Sequence, residues 1–305
     1  MKLSIITINR NNAEGLKRTL DSVFMQTCRN FEYIVVDGAS TDGSVEVIRA
    51  SALQAEGLDF KWVSEPDTGI YNAMNKGIEI AEGSRIVDSL NRSKRSDDKN
   101  KGEDGYVLML NSGDYLVDEH VIERIVPELH SEDMIQGNLI IEYPNYTIRD
   151  RGYGKSDITF IDVMDGNFSH QATFICLSTM KQYGYYDDDY KKGADSYFFI
   201  TALGLGNATF RYVDIDIANF DPNGISSMRD PKWRQIDKEE DTRWYGEHIS
   251  KRLMELYKTV PKKIQLYDTL HRHKWIWHIT MLLLRISKRL IPQEEKVQKE
   301  KIERR

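Results

Sequence analysis

Gly105-Tyr-Val-Leu-Met-Leu-Asn-Ser-Gly-Asp-Tyr-Leu-Val-Asp118 stands near the middle of a chain of 305 residues. Its apolar residues 106–110 predict a short buried strand, and the next three residues predict a turn. Asp114 then lies at the carboxyl end of the strand, where open α/β sheets bind their ligands. A carboxylate there can hold a hard divalent cation, which in turn can hold a diphosphate. A simple turn is the alternative for an isolated copy of this sequence, but the stretches described below favour the cation site.

Apolar runs that end in polar turns also precede this stretch. Strands are predicted over residues 3–8, 33–36 and 60–63. Each is followed by apolar residues at helical spacing. This alternation implies βαβ units, a mostly parallel sheet and right-handed crossovers, so the sequence predicts an α/β fold. Further strands are predicted over 134–143, 172–176 and 209–217, and an apolar helix over 196–205.

Two common phosphate-binding loops are missing from the sequence. A dinucleotide-binding domain needs Gly-x-Gly-x-x-Gly in its first βα turn, and residues 9–15 contain a single late glycine. There is no Gly-Lys-Ser/Thr loop either. Nicotinamide-dependent and P-loop chemistry are therefore disfavoured.

Composition restricts the setting of the protein. The formal net charge of -6 and the lack of a DNA-binding motif give no reason to expect a nucleic-acid partner. Two cysteines, Cys28 and Cys176, lie in apolar surroundings and are expected to be reduced thiols. No signal peptide is evident, and no apolar run approaches the roughly 20 residues of a membrane-spanning helix. We expect a cytoplasmic setting.

Two segments depart from this pattern. Residues 84–105 are polar and charged, and they are predicted to form a solvated insertion loop. Residues 261–291 carry seven Lys or Arg against one acid and include the apolar run Trp275–Leu284. A basic helix with tryptophan is typical of a segment that lies on an anionic membrane surface. Packing on the domain or on a second subunit, as in a homodimer, is the alternative.

Acidic residues follow several of the predicted strands. They are Asp37, Glu65, Asp67, Asp114 and Asp195. One such acid is usually a helix cap or a turn former. Several acids in one crevice repel each other unless a cation or donor groups offset their charge, which indicates a metal-assisted nucleotide site.

Four stretches, taken in order, resemble family 2 glycosyltransferases. They are Ser4-Ile-Ile-Thr-Ile-Asn9, Val35-Val-Asp-Gly-Ala-Ser-Thr-Asp-Gly-Ser44, Ser64-Glu-Pro-Asp-Thr-Gly-Ile-Tyr-Asn-Ala-Met-Asn-Lys-Gly77 and Leu110-Asn-Ser-Gly-Asp114. The resemblance covers residues 1–225 and is closest to bacterial enzymes that build cell-surface polysaccharides. It implies a GT-A fold with a Rossmann-like sheet: residues 1–118 as the nucleotide-sugar half, 119–225 as the acceptor half and 226–305 as a helical, basic extension.

The resemblance also implies a chemistry. An inverting hexosyl- or N-acetylhexosaminyltransferase would take its sugar from a nucleoside diphosphate, with UDP favoured, and use Mn²⁺ or Mg²⁺. Its acceptor would be a glycan or a lipid-linked molecule, and it would work in the cytoplasm or at the inner face of the membrane.

Individual residues take roles from the same resemblance. The donor-site residues would be Thr7, Asn9, Asp37, Asp67, Asn75, Lys76 and Asn111. Asp37 would accept a hydrogen bond from the base, and Asp114 would bind the metal. Asp195 would be the catalytic base, with His170 and Gln171 bordering the acceptor pocket.

The chain departs from the family where the metal motif carries a single acid, Asp114, because Asn111 replaces the first one. That keeps open an alternative function, a weakly active or inactive member that binds nucleotide sugars as a scaffold. A processive synthase would carry Gln-x-x-Arg-Trp and several membrane spans. Residues 240–244, Glu-Asp-Thr-Arg-Trp, imitate that motif, and we interpret them as a coincidence on a charged helix.

Overall fold

The computed structural model describes residues 2–87, 93–95, 105–143, 145–166, 168–222, 231–259 and 279. The chain forms two compact units, Met1–Trp244 and Tyr245–Arg305. All residues predicted for the site belong to the first unit.

The N-terminal half alternates strands and helices as the sequence predicts. Its strands are β1 (Lys2–Asn9), β2 (Glu32–Asp37), β3 (Asp59–Ser64), β4 (Arg85–Val87), β5 (Ser93–Arg95) and β6 (Gly105–Met109). Its helices are α1 (Ala13–Phe24), α2 (Ser44–Ala52) and α3 (Ile70–Ala81). Four of the strands lie in the order β3-β2-β1-β6, and all three pairings between them are parallel. Their carboxyl ends therefore share one edge of the sheet.

The second half mixes strand directions. Its strands are β7 (Tyr115–Leu116), β8 (Met134–Tyr143), β9 (Tyr146–Asp150), β10 (Thr173–Cys176) and β11 (Phe210–Phe220). Its α-helices are α4 (Val121–Ile125), α5 (Phe160–Met164), α6 (Leu177–Tyr183), α7 (Ala194–Phe199) and α8 (Pro231–His248). A 3-10 turn, His170–Ala172, precedes β10, and a π-helical turn, Ile200–Leu205, follows α7.

The sheet continues from β6 in the order β10-β8-β11-β7. Strand β10 is antiparallel to both β6 and β8, while β8 and β11 are parallel. Because β10 runs against β6, the residues just before β10 lie beside the residues just after β6. This reversal brings His170 to the turn that carries Asn111 and Asp114.

The core lies between the sheet and its helices. Strand β2 is buried over its whole length, as expected for a central parallel strand covered on both faces. Helix α1 buries Leu16, Leu20 and Val23 on one side, the spacing from which the helix was predicted. The side chain of Asn12 accepts from the N–H of Gly15 and caps the start of this helix.

Within the predicted insertion, β4 pairs with β5 in an antiparallel hairpin, and residues 88–92 and 96–104 lie outside the described residues. Helix α8 and a further helical segment, 251–259, account for the charged region after residue 230. The amphipathic stretch 261–291 lies outside the described residues apart from residue 279. In the part of the chain that the structure describes, no helix is long and apolar enough to span a bilayer.

Candidate active site

Asp37 ends β2 and organises the loop that follows it. Its Oδ1 accepts from Asn9 Nδ2 at 2.8 Å and from the Ser40 hydroxyl at 2.5 Å. Its Oδ2 accepts from the Ser40 N–H at 3.0 Å and from the Ser64 hydroxyl at 2.7 Å. The residue has no exposed surface, and these four donors occupy the hydrogen-bonding capacity of its carboxylate. A hydrogen bond from a nucleotide base to Asp37 stays a prediction, and it would require one of these donors to turn away.

Thr7 and Asn9 lie on β1, beside Asp37. Thr7 is fully buried, and its hydroxyl donates to the carbonyl of Leu110 at 2.7 Å. It therefore forms part of the floor beneath the crevice, and its contact with a nucleoside stays a prediction. Asn9 is nearly buried, and its Oδ1 has no hydrogen-bond partner among the described residues. A buried acceptor without a partner is costly, so this atom is open to a donor from a ligand.

The loop after β1 and the loop after β2 are hydrogen-bonded to each other. The N–H of Asn11 donates to the Ser40 hydroxyl at 2.8 Å, and Asn11 Oδ1 accepts from the Thr41 N–H at 2.9 Å. Asn11 and Ala39 have φ angles of 50° and 54°, in the left-handed region. Non-glycine residues are uncommon there, and such strain concentrates at binding loops. The paired loops thus present a fixed rim at the carboxyl edge of the sheet.

Asp67 lies against the loop after β2. Its carboxylate pairs with Arg10 at 3.3 Å and accepts from the N–H of Gly69 at 3.1 Å, just before α3. A Cβ at Gly38 would lie 2.1 Å from Asp67 Oδ2, so this close approach requires glycine at residue 38. These contacts hold Asp67 next to the start of α3, and its role as a wall of the donor site stays a prediction.

Asn75 and Lys76 on α3 bind other parts of the protein. The Asn75 side chain exchanges two hydrogen bonds with the backbone of Tyr186, at 2.7 and 3.1 Å. The Lys76 ammonium donates to the carbonyl of Pro66 at 2.7 Å and pairs with Glu65 at 3.1 Å. These contacts give both residues a supporting role, and their direct contact with a donor stays a prediction.

The turn from Asn111 to Asp114 is held from α1. Gly113 has a φ of 112°, which glycine adopts without a steric penalty. Its N–H donates to the Thr19 hydroxyl at 3.0 Å, and its carbonyl accepts from Arg18 at 2.9 Å. The Thr19 hydroxyl donates to the carbonyl of Asp114 at 2.6 Å. Helix α1 therefore fixes the backbone on both sides of the predicted metal ligand.

Asp114 is a buried carboxylate in this turn, 5% exposed. Burial raises its pKa to about 6, and a hydrogen bond from the Asp221 N–H, the nearby His170 and a hydrogen bond from Gln171 offset only part of this effect. Asp221 also brings a like charge that opposes ionisation of Asp114. Its ionised form therefore lacks sufficient positive charge nearby, a deficit that a bound cation would remove. Gln171 contacts Asp114, and its place at the acceptor pocket stays a prediction.

Asp221 is a site residue that the sequence reasoning missed. It directly follows β11, and its N–H donates to Asp114 Oδ1 at 2.9 Å. Its carboxylate pairs with Arg18 at 2.7 Å and would lie 3.2 Å from a Cβ at Gly113. An acid after a strand, as in Phe220-Asp221, was the available signal. An acid from the end of the last long strand thus lies beside the turn whose motif lacks its first acid.

The oxygen atoms around Asp114 are of the kind that bind a divalent cation. The described residues contain no group of three or more His, Cys, Asp or Glu side chains that could hold a metal. Asp221 contacts Asp114 through its backbone N–H, and its carboxylate, paired with Arg18, is near enough to act on Asp114 as a like charge. Carboxylate oxygens are ligands that suit Mg²⁺ and Mn²⁺. Mg²⁺ commonly uses one or two protein carboxylates and takes its other ligands from water and substrate phosphates. Asp114 and Asp221 are the residues that would hold it.

Asp195, the predicted base, lies at the start of α7 with both oxygens engaged. Its Oδ1 accepts from the Tyr71 hydroxyl at 3.0 Å, and its Oδ2 lies 2.9 Å from His170 Nδ1. Burial alone would raise the pKa of Asp195, but His170 and Tyr71 together hold it below its ordinary value. His170 Nε2 lies 3.1 Å from Asn111 Nδ2. A chain of hydrogen bonds therefore joins Tyr71, Asp195, His170 and Asn111.

Helix α8 packs against the segment that carries Asp195. The Glu240 carboxylate accepts from the N–H groups of Lys191 and Lys192 at 2.9 and 3.0 Å. Trp244 is buried and stacks on Tyr197 with 4.8 Å between the ring centroids. The first and last residues of the 240–244 segment, Glu240 and Trp244, therefore support the segment on either side of the predicted base. The resemblance of this segment to the synthase motif stays interpreted as a coincidence.

Comparison with known proteins is consistent with this geometry. The Glycosyl transferase family 2 model matches residues 4–90. An uncharacterised glycosyltransferase of Mycobacterium tuberculosis is 30% identical over 233 residues, which span 75% of this chain and 78% of the relative. The chain belongs to glycosyltransferase family 2. This family 2 glycosyltransferase is also 27% identical over 226 residues to a PGL/p-HBAD biosynthesis glycosyltransferase of Mycobacterium bovis, covering 72% and 77% of the two chains.

Solved structures show the fold of this family 2 glycosyltransferase. Residues 1–349 of S. aureus TarS, in complex with UDP-GlcNAc, match with a TM-score of 0.60 at 15% identity, over 83% of this chain and 69% of that TarS fragment. A mannosyltransferase of Pyrobaculum calidifontis, in complex with GDP-Man and Mn²⁺, matches with a TM-score of 0.55 at 17% identity, over 81% and 64%. The predicted α/β fold of GT-A type is confirmed.

Proposed function

We propose that this family 2 glycosyltransferase moves a sugar from a nucleoside diphosphate, UDP in the first place, to a hydroxyl of a glycan or lipid-linked acceptor, with inversion at the anomeric carbon. Both solved structures named above are complexes with nucleotide sugars. The mycobacterial relative that is named for PGL/p-HBAD biosynthesis supports a biosynthetic role. We place the product among cell-surface polysaccharides or glycolipids.

The hydrogen-bond chain from Asn111 through His170 to Asp195 is the observation that carries this proposal. It links the predicted base to the turn that holds Asp114. An acceptor hydroxyl near Asp195 and a leaving diphosphate near Asp114 would then lie in one site. An inverting displacement needs this arrangement, because the base and the leaving group act on opposite sides of the reacting carbon.

In the proposed reaction, Asp195 and the side chains bonded to it provide the general base. As the acceptor hydroxyl loses its proton, its oxygen attacks the anomeric carbon, and the bond to the diphosphate breaks with its electron pair leaving on the nucleotide. General-base help is worth about 10²–10⁴ in rate. A divalent cation held by Asp114 and Asp221 would stabilise the charge on the departing diphosphate.

The organisation expected from the sequence is retained in the proposal. Residues 1–118 would bind the donor, 119–225 the acceptor, and 226–305 would form a basic extension. Work in the cytoplasm, with contact of 261–291 to the membrane, fits a lipid-linked acceptor. A homodimer formed through this segment is the alternative.

Calorimetry with UDP, GDP and dTDP, each with and without Mn²⁺, tests the donor site. We expect metal-dependent binding with preference for UDP. Asp195→Asn should bind the nucleotide like the wild type but fail to transfer sugar. NMR of the product anomeric proton then checks inversion. Retained activity in Asp195→Asn would remove that residue from the mechanism.

The single acid of the metal motif supports a second candidate, a scaffold member that binds nucleotide sugars without turnover. It predicts nucleotide binding but no sugar transfer to a pooled cell-envelope extract, even with Mn²⁺. Absence of binding to all three nucleotides would argue against both candidates.

A further inference from the structure

The two ring nitrogens of His170 have different hydrogen-bond partners. A carboxylate only accepts hydrogen bonds, so Nδ1, 2.9 Å from Asp195 Oδ2, carries a proton. An amide nitrogen only donates, so Nε2, 3.1 Å from Asn111 Nδ2, carries the lone pair. With Asn111 in this orientation, the two contacts suit an imidazole that donates from Nδ1 and turns the lone pair of Nε2 away from Asp195.

Asp195 is poorly suited to take a proton itself. Tyr71 donates to one of its oxygens and His170 to the other, and these bonds keep its pKa low. A carboxylate held in this way is a weak base, but it stabilises an imidazolium formed beside it. Histidine has its ordinary pKa near neutral pH, where general-base catalysis is most effective.

We propose that Nε2 of His170 takes the proton of the acceptor hydroxyl, while Asp195 orients the imidazole and balances its charge. This inference rests on the proposed function and names the atom that acts as the base. The hydroxyl O–H bond breaks as the N–H bond forms at Nε2, and the oxygen bonds to the anomeric carbon. The bond from that carbon to the diphosphate breaks, its electron pair leaves with the nucleotide, and the imidazolium later releases the proton to water.

Asn111 marks the position of the acceptor. Nε2 offers one lone pair, so the hydroxyl must replace the Asn111 amide there. Oδ1 of Asn111 is buried and has no hydrogen-bond partner among the described residues. Its amide is thus incompletely satisfied without a ligand, and its displacement costs a single hydrogen bond to Nε2.

Two substitutions separate a base from a positioning residue. In His170→Asn the side-chain amide can occupy the place of Nδ1 and still donate to Asp195, but Nε2 is lost. We expect release of nucleotide from UDP-GlcNAc, UDP-glucose or GDP-mannose, with water as the acceptor, to slow by about 10²–10⁴. Nucleotide affinity should stay unchanged. His120→Asn is the matched control, since His120 lies on the surface beside Thr27 and Glu123.

Chemical rescue gives a readout that a structural role would not affect. In His170→Ala, added imidazoles should restore nucleotide release, and the restored rate should rise with the basicity of the imidazole. A His170→Asn variant with wild-type turnover, or rescue independent of basicity, would overturn the proposal.

The tautomer can be read without any activity. Nitrogen-15 NMR of the wild type should show His170 protonated at Nδ1 when neutral, identified by the signal missing from His170→Asn. A proton on Nε2 of the neutral ring would refute the base assignment, even in an enzyme that transfers sugar. Failure of the wild type to turn over any nucleotide sugar would instead count against the proposed function, while the tautomer still decides this inference.

Discussion

The N–H of Asp221 donates to Oδ1 of Asp114 at 2.9 Å, although 107 residues separate them in the chain. The contact places the residue after β11 against the turn after β6. Arg18 completes the junction, because its guanidinium binds both the Asp221 carboxylate and the carbonyl of Gly113. The turn whose motif carries one carboxylate thereby has a second acidic residue beside it.

Asp221→Asn should weaken Mn²⁺-dependent nucleotide binding by about tenfold, or about 1.4 kcal/mol. The loss should be smaller than in Asp114→Asn, because the Asp221 N–H that holds Asp114 remains. Calorimetry with the preferred nucleotide measures both. Asp118→Asn, which changes an exposed acid paired with Arg124, is the control. Unchanged metal dependence in Asp221→Asn would exclude Asp221 from the cation site.

The stability of the metal-free protein should depend on the ionisation of Asp114. Burial raises its folded-state pKa to about 6, above the value of about 3.9 in an unfolded chain. Protonated Asp114 makes its full contribution to the free energy of unfolding below about pH 4, and this contribution is lost as the pH rises through about 6. The wild type should therefore lose stability relative to Asp114→Asn between these values, by about 3 kcal/mol at most.

Urea unfolding of both proteins in EDTA checks this prediction. Equal pH dependence in the two proteins would contradict it. Added Mn²⁺ should return stability to the wild type at neutral pH and leave Asp114→Asn nearly unchanged, since binding to the folded state stabilises it.

Gly38→Ala should disturb the donor site through Asp67. The new Cβ would lie 2.1 Å from Asp67 Oδ2, so the carboxylate must move away from Arg10 and from the N–H of Gly69. We expect nucleotide affinity to fall by about tenfold, or about 1.4 kcal/mol. Gly246→Ala is the control, because no atom of the described residues, other than its chain neighbours and the backbone of its own helix, lies within 4 Å of a Cβ there. Wild-type affinity in Gly38→Ala would show that Asp67 does not shape the donor site.

Tyr71→Phe should separate turnover from donor binding. It removes the hydroxyl that donates to Asp195 Oδ1 and keeps the ring against Tyr186, 5.8 Å away between centroids. The pKa of Asp195 should rise, since one bond that lowers it is lost. We expect kcat to fall about tenfold, about 1.4 kcal/mol in the barrier, with an unchanged nucleotide Kd. Tyr185→Phe, which removes a hydroxyl bound to Glu82, should leave kcat unaltered.

Glu240→Ala should loosen the loop before Asp195. It leaves the N–H groups of Lys191 and Lys192 without their acceptor, and we expect a stability loss of about 1–3 kcal/mol. Turnover should fall while nucleotide Kd is retained. Glu239→Ala, at the neighbouring exposed position, is the matched control. Thermal unfolding and kcat measured on both variants test the role of α8, and identical results for the two would reject it.

Local pattern was sufficient for much of the fold. Buried apolar runs predicted β1, β2, β3 and β6, and helical spacing predicted α1 and α3, because these signals depend on neighbours a few residues apart. Parallel strands share a carboxyl edge, so Asp37 and Asp114 could be expected there from sequence alone.

Tertiary structure decided the chemistry of the site. The antiparallel insertion of β10 between β6 and β8 brings His170 to Asn111, and no local periodicity encodes that pairing. Thr7 and Asp37 are buried, and their side chains bond to residues that strand pairing brings near. Thr7 donates to the carbonyl of Leu110, and Asp37 accepts from Asn9. Asp221 joined Asp114, and Tyr71 joined Asp195 across 124 residues, through contacts with no short-range signature. The sequence by itself determined the parallel strands β1, β2, β3 and β6 and the acids Asp37 and Asp114 that follow two of them. The packing of the strands determined which side chains touch, because hydrogen bonds depend on distance in space rather than along the chain.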